Sequence, residues 1–279
     1  MVGGGSKTAH PHKAGARVQR AARPPLGARR RLGRSGIFGR WGDLGGPTGT
    51  ARGVKWVVGA RRGREGGGME LRSLGEAAEA AYWERLYGRW EPMDLSGVSA
   101  FMRGFGREWW VVGGWAIDAF TGVGREHSDV DVSIFAGDVP ALRAHAGDRW
   151  HLWNLAGGDM RPLTDRHPEV FSPASQVWVR EHGDAPWVVD LPLTPDADGL
   201  WCNKYLPEHT GRLEDVTWVA EDGIRYLNPE IVLLFKARLH RTKDQYDLER
   251  TWPLLSAPKQ QWLRETVRRA YPDCPWKFV

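Results

Sequence analysis

The segment from Glu108 to Phe135 constrains the fold more than any other part of the chain. It opens on a short apolar run, Trp109-Trp110-Val111-Val112, which Gly113-Gly114 interrupts. Trp115 to Phe120 then follow a helical pattern, and Asp129 to Phe135 alternate in character as a half-buried strand does. Strand, glycine turn, helix and strand in such close succession require a sheet with helices packed on it. The flanking sequence supplies both. Leu71, Leu74, Ala77, Ala78, Ala81, Leu86 and Trp90 predict an amphipathic helix, and Asp94 or Ser96 is placed to cap a second one through about Phe105. A further helix is predicted from Asp138 to Ala146, and strands at Trp150–Leu155, Gln176–Glu181, Trp187–Leu193 and Val216–Val219. Asn228-Pro229-Glu230 reads as a helix start, with Asn as cap and Pro in the first turn, and helical patterns continue from Thr242 and over Lys259–Ala270. The expected class is α/β (α+β): a mixed-sheet core over residues 69–220 with flanking helices, then a C-terminal helical subdomain over 221–279.

The charge is divided unevenly along the chain. Residues 1–68 carry 15 Lys and Arg against Asp43 and Glu65, a net of +13, whereas the remaining 211 residues carry 24 basic and 32 acidic groups, a net of −8. Residues 1–68 also hold 18 of the 35 glycines and no sustained apolar period, so they read as a disordered Gly/Arg-rich extension. Glu65-Gly66-Gly67 is compatible with a purine-rich ribosome-binding run just ahead of the Met69 codon. On that reading Met69 is the start and the extension is translated leader; the rival reading is an RNA-binding or targeting arm. The acidic body would not attract a phosphate backbone by bulk charge, which makes nucleic acid a poor partner for it. No stretch has the roughly 18–20 apolar residues of a membrane span, and the basic N-terminus is followed by no signal-peptide core. The two cysteines, Cys202 and Cys274, form neither a zinc knuckle nor a disulfide framework, in keeping with a reduced cytoplasm.

The chemistry is concentrated around the glycine pair. On a strand, Asp129 and Asp131 would point to the same face, and two like charges so close need a cation or proton between them. Carboxylates and phosphate oxygens are the usual cage of Mg²⁺. Gly113 and Gly114 offer bare backbone at a helix N-terminus, where N–H groups and the helix dipole favour an anion. Arg125 and His127 stand just ahead of the acidic strand and could hold more phosphate charge. A third carboxylate is expected at Asp190, a lone charge between Trp187-Val188-Val189 and Leu191-Pro192-Leu193. Lys236 lies on a largely apolar helix, as a triphosphate ligand or as the partner of Asp244 or Asp247. Arg241, Lys243, Asp244 and Asp247 read as a charge network between helices, and Asp118 as structural. The tryptophans, among them Trp109, Trp110, Trp115, Trp187 and Trp201, read mostly as core, and Cys202 as a small core residue.

Gly113-Gly114-Trp115-Ala116-Ile117-Asp118 followed by Arg125-x-His127-x-Asp129-Val130-Asp131 resembles the motif of the polymerase-beta-like nucleotidyltransferases, most of all the aminoglycoside 2″-adenylyltransferases and lincosamide nucleotidyltransferases. The likeness is strong over 113–131 and weaker at Asp190 and over Asn228–Leu248, where it extends to related abortive-infection toxins. It implies a two-Mg²⁺ site in which Asp129, Asp131 and Asp190 bind metal and act in catalysis, with Asp190 as the general base. It also implies that Gly113 and Gly114 line the nucleotide phosphates. Many members of the wider superfamily have serine where Gly114 stands, so here backbone N–H groups, Arg125 and His127 must carry more of the phosphate binding. The implied reaction moves a nucleoside monophosphate, AMP by preference, from ATP or another triphosphate to a hydroxyl of a small molecule. A toxin-like transfer to tRNA or protein is the first alternative. A nucleic-acid-binding protein built on the basic tail is the second.

Overall fold

The computed structural model describes residues 76–278; the basic stretch 1–68 and the apolar positions Leu71 and Leu74 lie outside the described residues. The first described helix, α1, spans Glu76–Tyr87. In α2, Leu95–Met102, the Asp94 carboxylate caps the start by accepting from the Gly97 N–H at 2.7 Å, and the helix ends three residues before Phe105. Strand β1, Trp109–Val111, runs directly into α3, Gly113–Thr121, so the glycine pair is the first turn of the helix rather than a loop before it. Gly122, left-handed at φ 68°, closes α3 at its C-terminal end.

Strand β2 spans only Val132–Ile134, shorter than the predicted Asp129–Phe135. Its ladder runs out at Asp131, whose carbonyl accepts from Val112 N at 2.9 Å, while the carbonyl of Asp129 is taken instead by the Trp115 indole N–H at 2.9 Å. Then come α4 (Val139–Ala146), β3 (His151–Ala156), β4 (Asp159–Pro162), β5 (Gln176–Arg180) and β6 (Val189–Pro192). Short strands β7 (Asp196–Ala197), β8 (Leu200–Asn203) and β9 (Leu206–Gly211) form a separate three-stranded sheet. A one-turn helix α5 (Leu213–Val216) leads into β10 (Thr217–Val219) and β11 (Arg225–Leu227). The chain closes with α6 (Pro229–Ala237), α7 (Thr242–Thr251) and α8 (Ala257–Ala270). Asn228 stands at the start of α6 as predicted but does not cap it with its side chain; its amide donates to the Asp215 carbonyl at 2.9 Å.

Two four-stranded sheets, ordered β10-β11-β1-β2 and β4-β3-β5-β6, meet between β2 and β6. Parallel bridges Asp131↔Asp190 and Phe135↔Thr194 join them. Beneath this seam Val130, Val132, Ile134, Val189 and Leu191 are buried, as are Trp110, Trp187 and Trp201. Burial of such side chains contributes about 1.5–3 kcal/mol each. Helices α6 and α7 pack against α3, which brings the C-terminal part of the chain to the glycine turn. The body is a mixed α/β core with a helical end. Among the described residues, no helix is long and apolar enough to cross a membrane.

Candidate active site

Asp131 and Asp190 meet at the seam of the two sheets. They are bridge partners on neighbouring parallel strands, so their side chains leave the same face side by side. Asp190 is 8% exposed, and Gln176 donates to its Oδ2 at 3.3 Å. Gly113 lies against this pair. A Cβ there would run into Asp131 Oδ2, and Gly113 holds φ +72°, a conformation that glycine adopts without steric cost. The Asp131 carboxylate therefore sits on bare backbone at the start of α3. Asp129 lies just outside β2, with Oδ1 accepting from the Ser128 hydroxyl at 3.1 Å.

Gly114 is covered by the two basic groups that the sequence placed near it. A Cβ on Gly114 would meet Arg125 Nη2 at 2.5 Å and His127 Nδ1 at 2.6 Å. Both side chains are held from behind. Arg125 donates from Nε and Nη2 to the two oxygens of Asp247, each at 3.1 Å. His127 Nε2 lies 2.5 Å from Asp118 Oδ2, and its ring stacks on Trp115 at 5.0 Å. Burial pushes the His127 pKa down, against the pull of Asp118. Arg250 ties the two arms together by donating to Asp118 and, at 2.8 Å, to Asp247.

Lys236 belongs to the same network. It is 6% exposed and pairs with Asp247 at 2.8 Å and Asp244 at 3.3 Å, the second of its two expected roles; it is linked to the glycine turn through Asp247 and Arg125. Asp244 also receives Arg241 at 2.7 Å. Burial alone would raise the carboxyl of Asp247, but Arg125 and Lys236 hold it well below the usual range; Asp244, with Arg241 and Lys236, is lowered too. Asp118 is lowered against its own burial by hydrogen bonds from His127, the Arg125 N–H and Arg250.

Asp118 and Asp247, expected as structural charges, hold His127 and Arg125 in place; Trp115 stacks on His127, and Arg250, which the sequence did not single out, joins the two arms. A signal for Asp247 was present: Asp244, Asp247, Leu248 and Thr251 recur at helical spacing and form the buried stripe of α7. Carboxylates on a core-facing stripe require buried cations.

The donor set of Asp129, Asp131 and Asp190 is all hard oxygen, which suits Mg²⁺. Among the described residues no three His, Cys, Asp or Glu side chains close into a ready metal cage. Asp131 and Asp190 are the pair that the fold brings together, and a nucleotide's phosphate oxygens would be needed beside them.

The acids at the strand seam thus lie next to a glycine-opened helix start that an arginine and a histidine cover. Residues 94–145, from the cap of α2 to the end of α4, match the family described as aminoglycoside-2''-adenylyltransferase, and the chain is an enzyme of the nucleotidyltransferase class. No curated protein matches the chain. Among solved structures it is similar to ANT(2'')-Ia in complex with adenylyl-2''-tobramycin, at 18% identity and TM-score 0.42, covering 63% of this chain and 96% of that one. It is also similar to the antibiotic-resistance factor ANT(2'')-Ia in solution, at 20% identity and TM-score 0.41, covering 64% and 95%. A third similarity is to the lincosamide antibiotic adenylyltransferase LnuA, lincomycin-bound, at 18% identity and TM-score 0.39, covering 56% and 92%.

Proposed function

We propose that the chain transfers a nucleoside monophosphate, AMP by preference, from a triphosphate to a hydroxyl of a small antibiotic-like molecule in the cytoplasm. The observation that carries this reading is the Asp131–Asp190 pair packed against Gly113. Residues 69–220 would form the catalytic domain and 221–279 a helical subdomain that braces it. Mg²⁺ held by Asp129, Asp131 and Asp190 would neutralise triphosphate charge and polarise the α-phosphorus. Backbone N–H groups of Gly113 and Gly114 at the start of α3 would cradle phosphate oxygens, with Arg125 and His127 closing over them. Lys236 acts on that anion through Asp247 and Arg125. Asp190, steadied by Gln176, takes the proton of the acceptor hydroxyl. The freed oxygen bonds to the α-phosphorus, the bond to the bridging oxygen breaks, and pyrophosphate leaves.

The test is to incubate the protein with Mg²⁺, each α-labelled triphosphate, and panels of aminoglycosides, lincosamides and tRNA. Labelled small molecule together with pyrophosphate is the expected result. A folded protein that yields no labelled product and no pyrophosphate with any combination would count decisively against transfer. Label on tRNA alone would move the acceptor to the toxin-like class.

A further inference from the structure

The catalytic face of the sheet continues beyond Asp190. Trp178 is the register partner of Asp190, and Trp153 is the partner of Trp178, so the three side chains stand in a row on one face. Gln176 and Arg180, two residues to either side of Trp178, share that face, and Leu155 stands opposite Gln176. Trp178 is buried beneath the edge of Trp90, ring to ring at 4.9 Å. Trp153, Leu155, Gln176 and Arg180 are only half-buried. The face therefore runs from the glycine turn, over the two acids, onto a partly open aromatic shelf.

The order along this face decides what the shelf can hold. The glycine side, beneath Arg125 and His127, suits the triphosphate. An acceptor hydroxyl must reach the α-phosphorus from the opposite side, past Asp190, and that is where the shelf lies. The shelf is also one-sided in its chemistry. The Arg180 guanidinium lies 4.8 Å from the ring centre of Trp153 and 4.2 Å from that of Trp187. Among the described residues no carboxylate forms a salt bridge with it; the charge that bears on it is Asp184, at a distance. The Arg180 Nε–H and the indole N–H groups of Trp90 and Trp153 are buried, with no acceptor among the described residues. The shelf thus carries positive charge, and its own arginine already lies over one face of Trp153 and of Trp187. An ammonium group brings only donors and more positive charge. A ring rich in hydroxyl or ether oxygens brings an apolar face for Trp153 and Leu155 and lone pairs for Arg180. The net acidity of the body does not reverse this, because exposed charges are largely screened beyond about 8 Å at physiological salt.

Building on the transfer reading above, we propose that this shelf is the acceptor subsite, that it takes an oxygen-rich ring with few or no amines in preference to a polycationic one, and that Arg180 determines this choice. The test uses the full chain with Mg²⁺ and a non-hydrolysable ATP analogue. Lincomycin, a sugar-like amide with one amine, and tobramycin, with several clustered amines, are titrated while tryptophan fluorescence is read. Lincomycin is expected to bind at least ~10-fold more tightly, a factor equivalent to about 1.4 kcal/mol. Arg180→Glu is expected to reverse the order, and Arg180→Lys to keep it. In turnover the Arg180→Glu effect should fall on the acceptor KM and leave kcat nearly unchanged. Tighter binding of tobramycin by the wild-type protein, an unchanged ratio in Arg180→Glu, or no binding of either compound would each overturn the proposal. A normal thermal shift with Mg²⁺ and the ATP analogue in that last case would leave the transferase reading standing. Acceptor binding with no pyrophosphate released from ATP would sink the transferase reading alone.

Discussion

Asp247 grips Arg125 through two parallel hydrogen bonds of 3.1 Å, across 122 residues of chain. The same carboxylate receives Lys236 and Arg250 at 2.8 Å and is fully buried. One side chain on α7 thereby fixes the arginine that covers Gly114. Asp247→Ala leaves three cations around an empty site, and breaking a buried ion pair costs about 3–5 kcal/mol. We expect a large fall in Tm in a melting experiment. Asp247→Asn keeps the shape but not the charge, and should raise the KM for the triphosphate because Arg125 loses its anchor.

The same carboxylate gives the fold a sensitivity to acid. Its folded pKa is depressed below the unfolded value of about 3.9, so its contribution is fully present above that value and is lost as pH falls through the folded pKa. Asp118 and Asp244 shift in the same direction and reinforce the effect. Chemical-denaturation curves of the wild type should therefore lose stability steeply below about pH 4. A background already carrying Asp247→Asn should lose less over that range; an identical slope in the two proteins would argue against this assignment.

His127 is also shifted downward and acts in the same sense, at higher pH. Burial lowers its pKa below the unfolded value of about 6.5, so the unfolded chain binds the proton more readily. Its contribution is complete above that value and fades as pH drops through the folded pKa. An NMR titration should place the His127 midpoint below about 6.5. In His127→Gln the loss of stability between neutral pH and about pH 5 should be smaller than in the wild type.

Much of this arrangement could be read from local sequence. The apolar run around Val189 and the Asp94 cap rest on neighbours a few residues apart and formed where expected, and the strand expected over Asp129–Phe135 formed at its centre, Val132–Ile134, buried throughout. The residues from Asp196 to Gly211 fold as three paired strands without an alternating apolar pattern, so nothing local announced them. Strand β4 is likewise half-exposed and held by its pairing with β3 rather than by its own apolar content. Arg125 and His127 were expected as phosphate ligands on charge and position, but their anchors lie on surfaces that meet only after folding. Asp247 and Arg250 arrive from α7, and no spacing rule within that helix names Asp118 or Arg125 as their partners.

Gly113 should respond differently from a glycine of similar backbone conformation elsewhere. Gly122 has φ +68° with open space around its would-be Cβ, so Gly122→Ala carries only the left-handed backbone cost, about 1–2 kcal/mol. Gly113→Ala pays that cost and also drives a methyl into the Asp131 carboxylate. Melting curves should show a greater loss for Gly113→Ala than for Gly122→Ala. Transfer activity should vanish in Gly113→Ala and survive in Gly122→Ala.

The acidic pair itself should show opposite effects on activity and stability. Asp131 and Asp190 stand on adjacent strands with side chains on one face, and like charges at such a distance are unfavourable until a cation arrives. Asp131→Asn removes one charge without changing the shape of the side chain. Transfer should fall to background while Tm without metal stays the same or rises slightly. Added Mg²⁺ should raise the Tm of the wild type in the presence of a triphosphate and have a much weaker effect on Asp131→Asn, because ligand binding stabilises only the fold that binds it. The Asp190→Asn protein should behave likewise in transfer and also lose the charge-assisted hydrogen bond from Gln176. Full activity in either variant would show that the acids at this seam are not the reacting centre.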